Sequence, residues 1–356
     1  MFDFDQLVQK AAGLKASDIH LTYGLPPTVR IDGVLTKEEL PPLDDAEIMH
    51  CIELLADEEH LSELRTNGES DFAVSYRDMA RFRCNIFKQK GHPSAALRLL
   101  PMRVPTAEEL QVPSVIVQQA DKPRGLVLIT GPTGSGKSTT LATLLDHINR
   151  HYKRHVITLE SPIEYIYEND LSIIDQREIG SDTKSFARGL RASLRQDPDV
   201  ILVGEMRDQE TMETAIMAAE TGHLVFATLH TKSAAETVSR IVNNFPVDQQ
   251  EQIRIQLAQV LECVVCQALV PRIRGGRIAA HEIMIATPAI RGLINQNKEY
   301  QITGTIQTSR KHGMQLLDDA LMGLIRSREI RLEDALPVAN NAALLEQTLG
   351  KTRREE

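Results

Sequence analysis

Apolar residues follow two different rhythms along this chain. In the first hundred positions the spacing changes every few residues. Leu7, Val8, Ala11, Ala12 and Leu14 recur at helical intervals, and Ser17-Asp18-Ile19-His20-Leu21 then turns to an extended pattern. Gly24-Leu25-Pro26-Pro27 breaks the chain, and residues 28–35 predict a hairpin that turns across Asp32-Gly33. Residues 44–66 return to helical periodicity through Ile48, Ile52, Leu55, Leu61 and Leu64. Alternating stretches at 71–76 and 81–90 predict strands, and prolines at 101, 105 and 113 mark a linker. The expected layout is a small mixed domain over 1–100, a linker over 101–112 and a larger domain over 113–356.

Beyond the linker the rhythm changes. Short, nearly continuous apolar runs at 125–130, 156–159, 200–203 and 224–229 alternate with helical stretches. Unbroken apolar strands predict a parallel sheet covered on both faces, an α/β architecture. Each run ends at a polar group: the loop from Gly131, then Glu160, Glu205 and His230. Ligands of open α/β sheets sit at the carboxyl ends of the strands, so the four ends predict one shared site. From about Pro246 onward the pattern is mostly helical, punctuated at Arg274-Gly275-Gly276 and Thr287-Pro288. The charged tail, residues 351–356, is expected to fray.

Composition narrows the possible functions. A chain of 356 residues suggests two domains, and 42% hydrophobic with 25% charged residues suits a folded globular protein. No apolar run reaches the roughly 20 residues that span a bilayer. The start, Met1-Phe2-Asp3-Phe4-Asp5, lacks the basic region and apolar core of a signal peptide. Membrane insertion and secretion are not expected. Cys51, Cys84, Cys263 and Cys266 are too few for a disulfide scaffold and fit a reducing cytosol. A formal charge of −9, no Trp and 4% aromatic residues offer little for stacking on nucleic acid.

The sharpest chemical signal is Gly131-Pro132-Thr133-Gly134-Ser135-Gly136-Lys137-Ser138, with Thr139 following, which satisfies the phosphate-binding pattern G-x-x-x-x-G-K-[ST] in full. An apolar run precedes it, and Leu141, Leu144, Leu145 and Ile148 mark an amphipathic helix behind it. Such a loop wraps backbone N–H groups around phosphate oxygens. Lys137 is expected to neutralise the β- and γ-phosphates of ATP. Ser138 is the candidate Mg²⁺ ligand, with Glu160 as a second candidate.

Three further segments carry polar groups to the same edge. Asp197-Pro198-Asp199, an apolar run and Gly204-Glu205 match a strand ending in a carboxylate that orients the attacking water and takes its proton. Glu160-Ser161-Pro162-Ile163-Glu164 places two carboxylates after another strand, either beside the metal or as an exposed acidic turn. His230 is placed to hydrogen-bond the γ-phosphate, whereas His223, at the other end of its strand, fits a structural role. Arg81 and Arg83, two apart in an extended pattern, face one side and present a paired charge to an anion, or else form a solvated strand face. Cys263-Val264-Val265-Cys266 sits in an apolar, helical-looking stretch. One pair cannot complete a four-ligand zinc site, so core packing is the better reading.

Taken together, the loop at 131–138, Glu160 to Glu164, Asp197 to Asp208 and Thr221 to Ser233 resemble the Walker A, Asp-box, Walker B and His-box set of the type II/IV secretion ATPases. The likeness extends to Ser17-Asp18-Ile19-His20-Leu21. Within that superfamily the chain is most similar to the PilT family of type IV pilus retraction ATPases. It is short, it lacks a second C-x-x-C pair, and Ala289-Ile290-Arg291-Gly292-Leu293-Ile294-Asn295-Gln296 is similar to a C-terminal motif of that branch. The resemblance implies a PAS-like α+β N-terminal domain joined to a RecA-like P-loop ATPase core. It implies a homohexameric motor that hydrolyses ATP with Mg²⁺ and powers pilus retraction and twitching motility. Arg81 and Arg83 would reach the phosphates from the N-terminal domain. An inner-membrane platform protein and other pilus ATPases are the implied partners, met from the cytoplasmic side without membrane insertion. Alternatives are an extension or secretion motor, or a weakly hydrolysing ring that binds another pilus motor.

Overall fold

In the computed structural model, which describes residues 2–31 and 33–347, contacts divide the chain into two units. One runs to Arg103 and also takes in Pro162–Ile166; the other comprises Val104–Ser161 and the residues from Tyr167 on.

The first unit is an antiparallel sheet with three helices. Its strands are β1 (Asp18–Thr22), β2 (Thr28–Ile31), β3 (Val34–Lys37), β4 (Glu69–Tyr76), β5 (Ala80–Gln89) and β6 (His92–Leu100). They lie in the order β3-β2-β1-β6-β5-β4. The hairpin forms with Ile31 opposite Val34. Gly33 takes a left-handed φ of 84°, while Asp32 lies outside the described residues. Helices α1 (Phe4–Gly13), α2 (Asp45–Leu55) and α3 (Glu58–Asn67) bring Phe4, Leu7, Val8, Ile48 and Ile52 against Ile19, Phe82, Ile86 and Leu97. The periodic stretch 44–66 is thus two helices. Asp57, whose carboxylate accepts from the His60 N–H at 3.0 Å, starts the second.

The second unit is a seven-stranded sheet built on the RecA-like plan. Its strands are β7 (Gly125–Thr130), β8 (His155–Glu160), β9 (Ile173–Glu178), β10 (Val200–Val203), β11 (Leu224–Leu229), β12 (Leu261–Pro271) and β13 (Arg277–Ile285). The order is β13-β12-β7-β11-β10-β8-β9, with only β13 antiparallel to its neighbour. The helices are α4 (Ser114–Val117), α5 (Lys137–His151), α6 (Phe186–Ser193), α7 (Gln209–Glu220), α8 (Ala234–Asn243), α9 (Gln250–Val260), α10 (Pro288–Asn295), α11 (Ile302–Thr308), α12 (Leu317–Arg326) and α13 (Leu332–Ala335). Alternate residues of the central strands feed two different cores. Leu126, Leu128, Ile201 and Val225 enter one, while Val127, Ile129, Leu202 and Phe226 enter the other. Burial on both faces is why these runs carry no polar alternation.

Two expectations are corrected here. The stretch around Cys263 and Cys266 is the strand β12 rather than a helix, and the region after Pro246 contains the β12–β13 hairpin, turning at Arg272 to Gly276. An unbroken apolar run has no period, so a doubly buried strand and a buried helix look alike in sequence. Both thiols are fully buried, and burial pushes them well above the usual thiol range, which suits packing rather than metal binding. No helix among the described residues is long and apolar enough to cross a membrane. The tail 351–356 lies outside the described residues.

Candidate nucleotide-binding and hydrolysis site

Four parallel strands end side by side in the second unit. The loop from Gly131 follows β7, His230 follows β11, Glu205 comes two residues after β10, and Glu160 ends β8. All the polar strand ends singled out in the sequence therefore lie along one sheet edge.

The loop is shaped by its own backbone and by β12. Gly131 has φ 141°, and a Cβ there would stand 2.3 Å from the Gln267 carbonyl oxygen, so only glycine fits. Gly136 is the N-cap of α5, whose first turn carries Lys137, Ser138 and Thr139. The Lys137 ammonium donates to the Gly131 carbonyl at 2.8 Å and the Pro132 carbonyl at 3.1 Å, within the loop itself. Pro132, Thr133 and Gly134 are exposed, as is Ser138, whereas Ser135 is buried with its Oγ unpartnered. An exposed loop of N–H groups at a helix N-terminus beside a cation suits a polyphosphate. No cluster of three metal-ligating side chains occurs among the described residues. Mg²⁺, which keeps several waters and binds through phosphates plus one or two protein oxygens, fits Ser138 on that basis.

Glu205 and His230 are held together by the ends of their strands. Met206 N–H donates to the Thr228 carbonyl at 3.1 Å, and the Thr228 hydroxyl donates to the Gly204 carbonyl. His230 Nε2 then lies 3.1 Å from Glu205 Oε1, while Arg207 Nη2 is 2.7 Å from Oε2. Burial is the largest single influence on Glu205 and pushes its carboxyl up. The Arg207 and His230 interactions together outweigh it and hold the group below its ordinary range. Such a carboxylate orients a water well but takes up a proton weakly. On the other side, a Cβ at Gly204 would come 2.8 Å from the Leu159 carbonyl, so glycine lets this strand end close against β8. Glu160 Oε1 accepts from the Thr158 hydroxyl at 2.7 Å and from Gln176 at 3.2 Å, which aims its carboxylate.

Three candidates belong to the first unit. Arg81 is buried, donating to Ser75 Oγ at 3.1 Å and to the Ile163 carbonyl at 3.0 Å. Arg83 is exposed and grips Asp71 through two nitrogens, at 3.3 and 2.8 Å. Glu164 lies half-buried in the segment Pro162–Ile166 that packs with this unit. His223 hydrogen-bonds the Ala218 carbonyl at 2.9 Å, just before β11 and so at the opposite edge of the sheet from His230.

Comparison with known proteins places this edge in context. The family model described as type II/IV secretion system protein matches residues 2–275. The chain belongs to that family. It is 46% identical over 333 residues to the type IV pilus retraction ATPase PilT of Pseudomonas aeruginosa, covering 94% of this chain and 97% of that protein. To a twitching motility protein of Neisseria gonorrhoeae it is 44% identical, over 92% of this chain and 90% of the other. A crystal structure of the pilus retraction motor PilT with bound ADP superposes with a TM-score of 0.91 at 46% identity, covering 98% of this chain and all of that one.

Within this secretion-family chain one residue distant in sequence also braces the phosphate loop. Gln267 of β12, 4% exposed, donates through Nε2 to the Ser135 carbonyl at 2.7 Å and accepts through Oε1 from the Thr140 hydroxyl at 2.8 Å. It ties the loop to the first turns of α5 from the neighbouring strand. Arg207, two residues after Glu205 in the sequence, is a further residue of the site, paired with the Glu205 carboxylate.

Proposed function

We propose that this chain works as a homohexameric motor that pulls back type IV pili, acting from the cytoplasmic side on a platform protein of the inner membrane. The chain is a P-loop ATPase, and its work is pilus retraction. The observation that carries this reading is the common edge at which the Lys137 loop, Glu160, Glu205 and His230 meet.

The loop N–H groups and Lys137 would hold the β- and γ-phosphates of ATP. Ser138 would ligate Mg²⁺, which supplies charge neutralisation between those phosphates when bound. Phosphoryl transfer depends mainly on positioning and charge stabilisation. Glu205, kept ionised by Arg207 and His230, would orient the attacking water, and His230 would sense the γ-phosphate from beside it. Glu160, whose carboxylate Thr158 and Gln176 aim, would be the second protein oxygen available to hold Mg²⁺. Arg81 and Arg83 would add positive charge from the first unit, and Glu164 a further carboxylate.

Phosphate release by the purified protein with Mg-ATP tests the chemistry, and native mass measurement tests the hexamer. Deleting the gene tests direction: surplus pili that do not retract support the proposal, while bald cells would assign the motor to extension instead.

A further inference from the structure

Glu282, on the edge strand β13, is a carboxylate with 3% exposure that none of the chemistry above uses. Its Oε1 accepts from the Ala234 N–H at 2.8 Å. Ala234 is the first residue of α8, four positions after His230. The same carboxylate receives the backbone N–H of Leu317, the first residue of α12, and Asn340 Nδ2 lies 3.5 Å from Oε2. The N-cap of α12 is Leu316, which has no side-chain acceptor to offer. Helix N-termini leave unpaired donors and a partial positive charge, both of which a carboxylate satisfies. One buried side chain thus serves two helices, one of which begins four residues after His230.

The segment between His230 and α8 is strapped in other ways too. Lys232 N–H donates to Glu236 at 2.9 Å, and the Thr231 and Thr237 hydroxyls lie 2.7 Å apart in a buried pair. Glu282 differs from these straps in reaching outside the segment, to α12 and Asn340. Burial, the largest influence on it, drives its carboxyl above the ordinary range, and the Ala234 and Leu317 N–H groups act against that shift.

We propose that Glu282 is a positioning residue for hydrolysis: the strand ends bring His230 to Glu205, Glu282 steadies His230 there by fixing the start of α8, and by also holding α12 it links that contact to the C-terminal helices. The proposal rests on the ATPase reading of the site. Replacing the carboxylate by an amide turns one acceptor into a donor, which then opposes one of the two helix N–H groups.

Steady-state phosphate release and the affinity of a fluorescent ADP analogue, measured on the full-length assembly, test it. Glu282→Gln is expected to lower kcat roughly 10- to 100-fold while ADP affinity moves less than about threefold, since misplacing a catalytic group leaves phosphate-loop binding in place. In a His230→Ala background the same substitution is expected to add less than about a twofold further loss, because both act through one contact. Wild-type kcat in Glu282→Gln, or losses that multiply in the double variant, would overturn the proposal. Should Glu282→Gln not fold, Asn340→Ala carries the test at smaller scale. It should reduce kcat roughly twofold in the wild type and not in His230→Ala, as expected for one net hydrogen bond; an equal effect in both backgrounds would overturn it. Unimpaired turnover in His230→Ala alone would instead sink the reading of the site itself.

Discussion

His230 Nε2 lies 3.1 Å from Glu205 Oε1, each placed just beyond the end of a neighbouring parallel strand. Removing the Glu205 charge while keeping its shape should stop turnover and spare binding. Glu205→Gln is expected to lower kcat at least roughly 100-fold, with nucleotide affinity little changed, whereas Lys137→Ala should weaken nucleotide binding as well. Phosphate release and equilibrium binding, measured side by side, check both. Full activity in either variant would remove the mechanism.

Gln267 makes a second prediction about the loop. Gln267→Leu strands the Ser135 carbonyl and the Thr140 hydroxyl, both of which it now satisfies. Leaving buried polar groups unpaired costs about 1–3 kcal/mol each. The variant should melt lower and bind ATP more weakly, with the loss confined to binding if turnover is read at saturating substrate. Unchanged affinity would show that the loop keeps its shape unaided.

The two arginines of the first unit should separate under mutation. Arg83 and Asp71 form an exposed pair, 44% and 45% accessible, and such pairs contribute about 0–1 kcal/mol. Arg83→Ala is therefore expected to leave the melting temperature nearly untouched, so any fall in turnover reports the charge itself. Arg81→Ala removes the donor for Ser75 and the Ile163 carbonyl and should destabilise the unit as well. Melting curves beside turnover rates distinguish these effects, and equal activity of Arg83→Ala and wild type would remove Arg83 from the site.

His281 should make stability fall in mild acid. Burial pushes its pKa down to about 4, below the ordinary value of 6.5, and its Nε2 is buried without a partner. The neutral form is the one that folds, so its contribution is complete above pH 6.5. That contribution is lost as acid protonates the unfolded chain, and the loss stops growing below about pH 4. Between pH 7.5 and 5.5 wild type should lose roughly 1 kcal/mol more than His281→Asn. Parallel denaturation profiles for the two proteins would contradict this.

What could be read from the chain alone depended on local chemistry. The loop from Gly131 to Ser138 was legible because its residues are neighbours in sequence and each has one job at a phosphate. The strand ends at Glu160, Glu205 and His230 were legible because a doubly buried parallel strand must end where polarity returns. The nature of β12 was not, since burial on both faces erases the period that separates strand from helix. Gln267 and Glu282 were hidden for a different reason. The first acts on a carbonyl 132 positions away, and the second on an amide 48 positions away. The chain's local pattern determined that a phosphate-binding edge exists and which strands deliver it. Only the folded sheet decided which distant side chains brace that edge, because hydrogen bonds form between groups close in space, whatever their separation along the backbone.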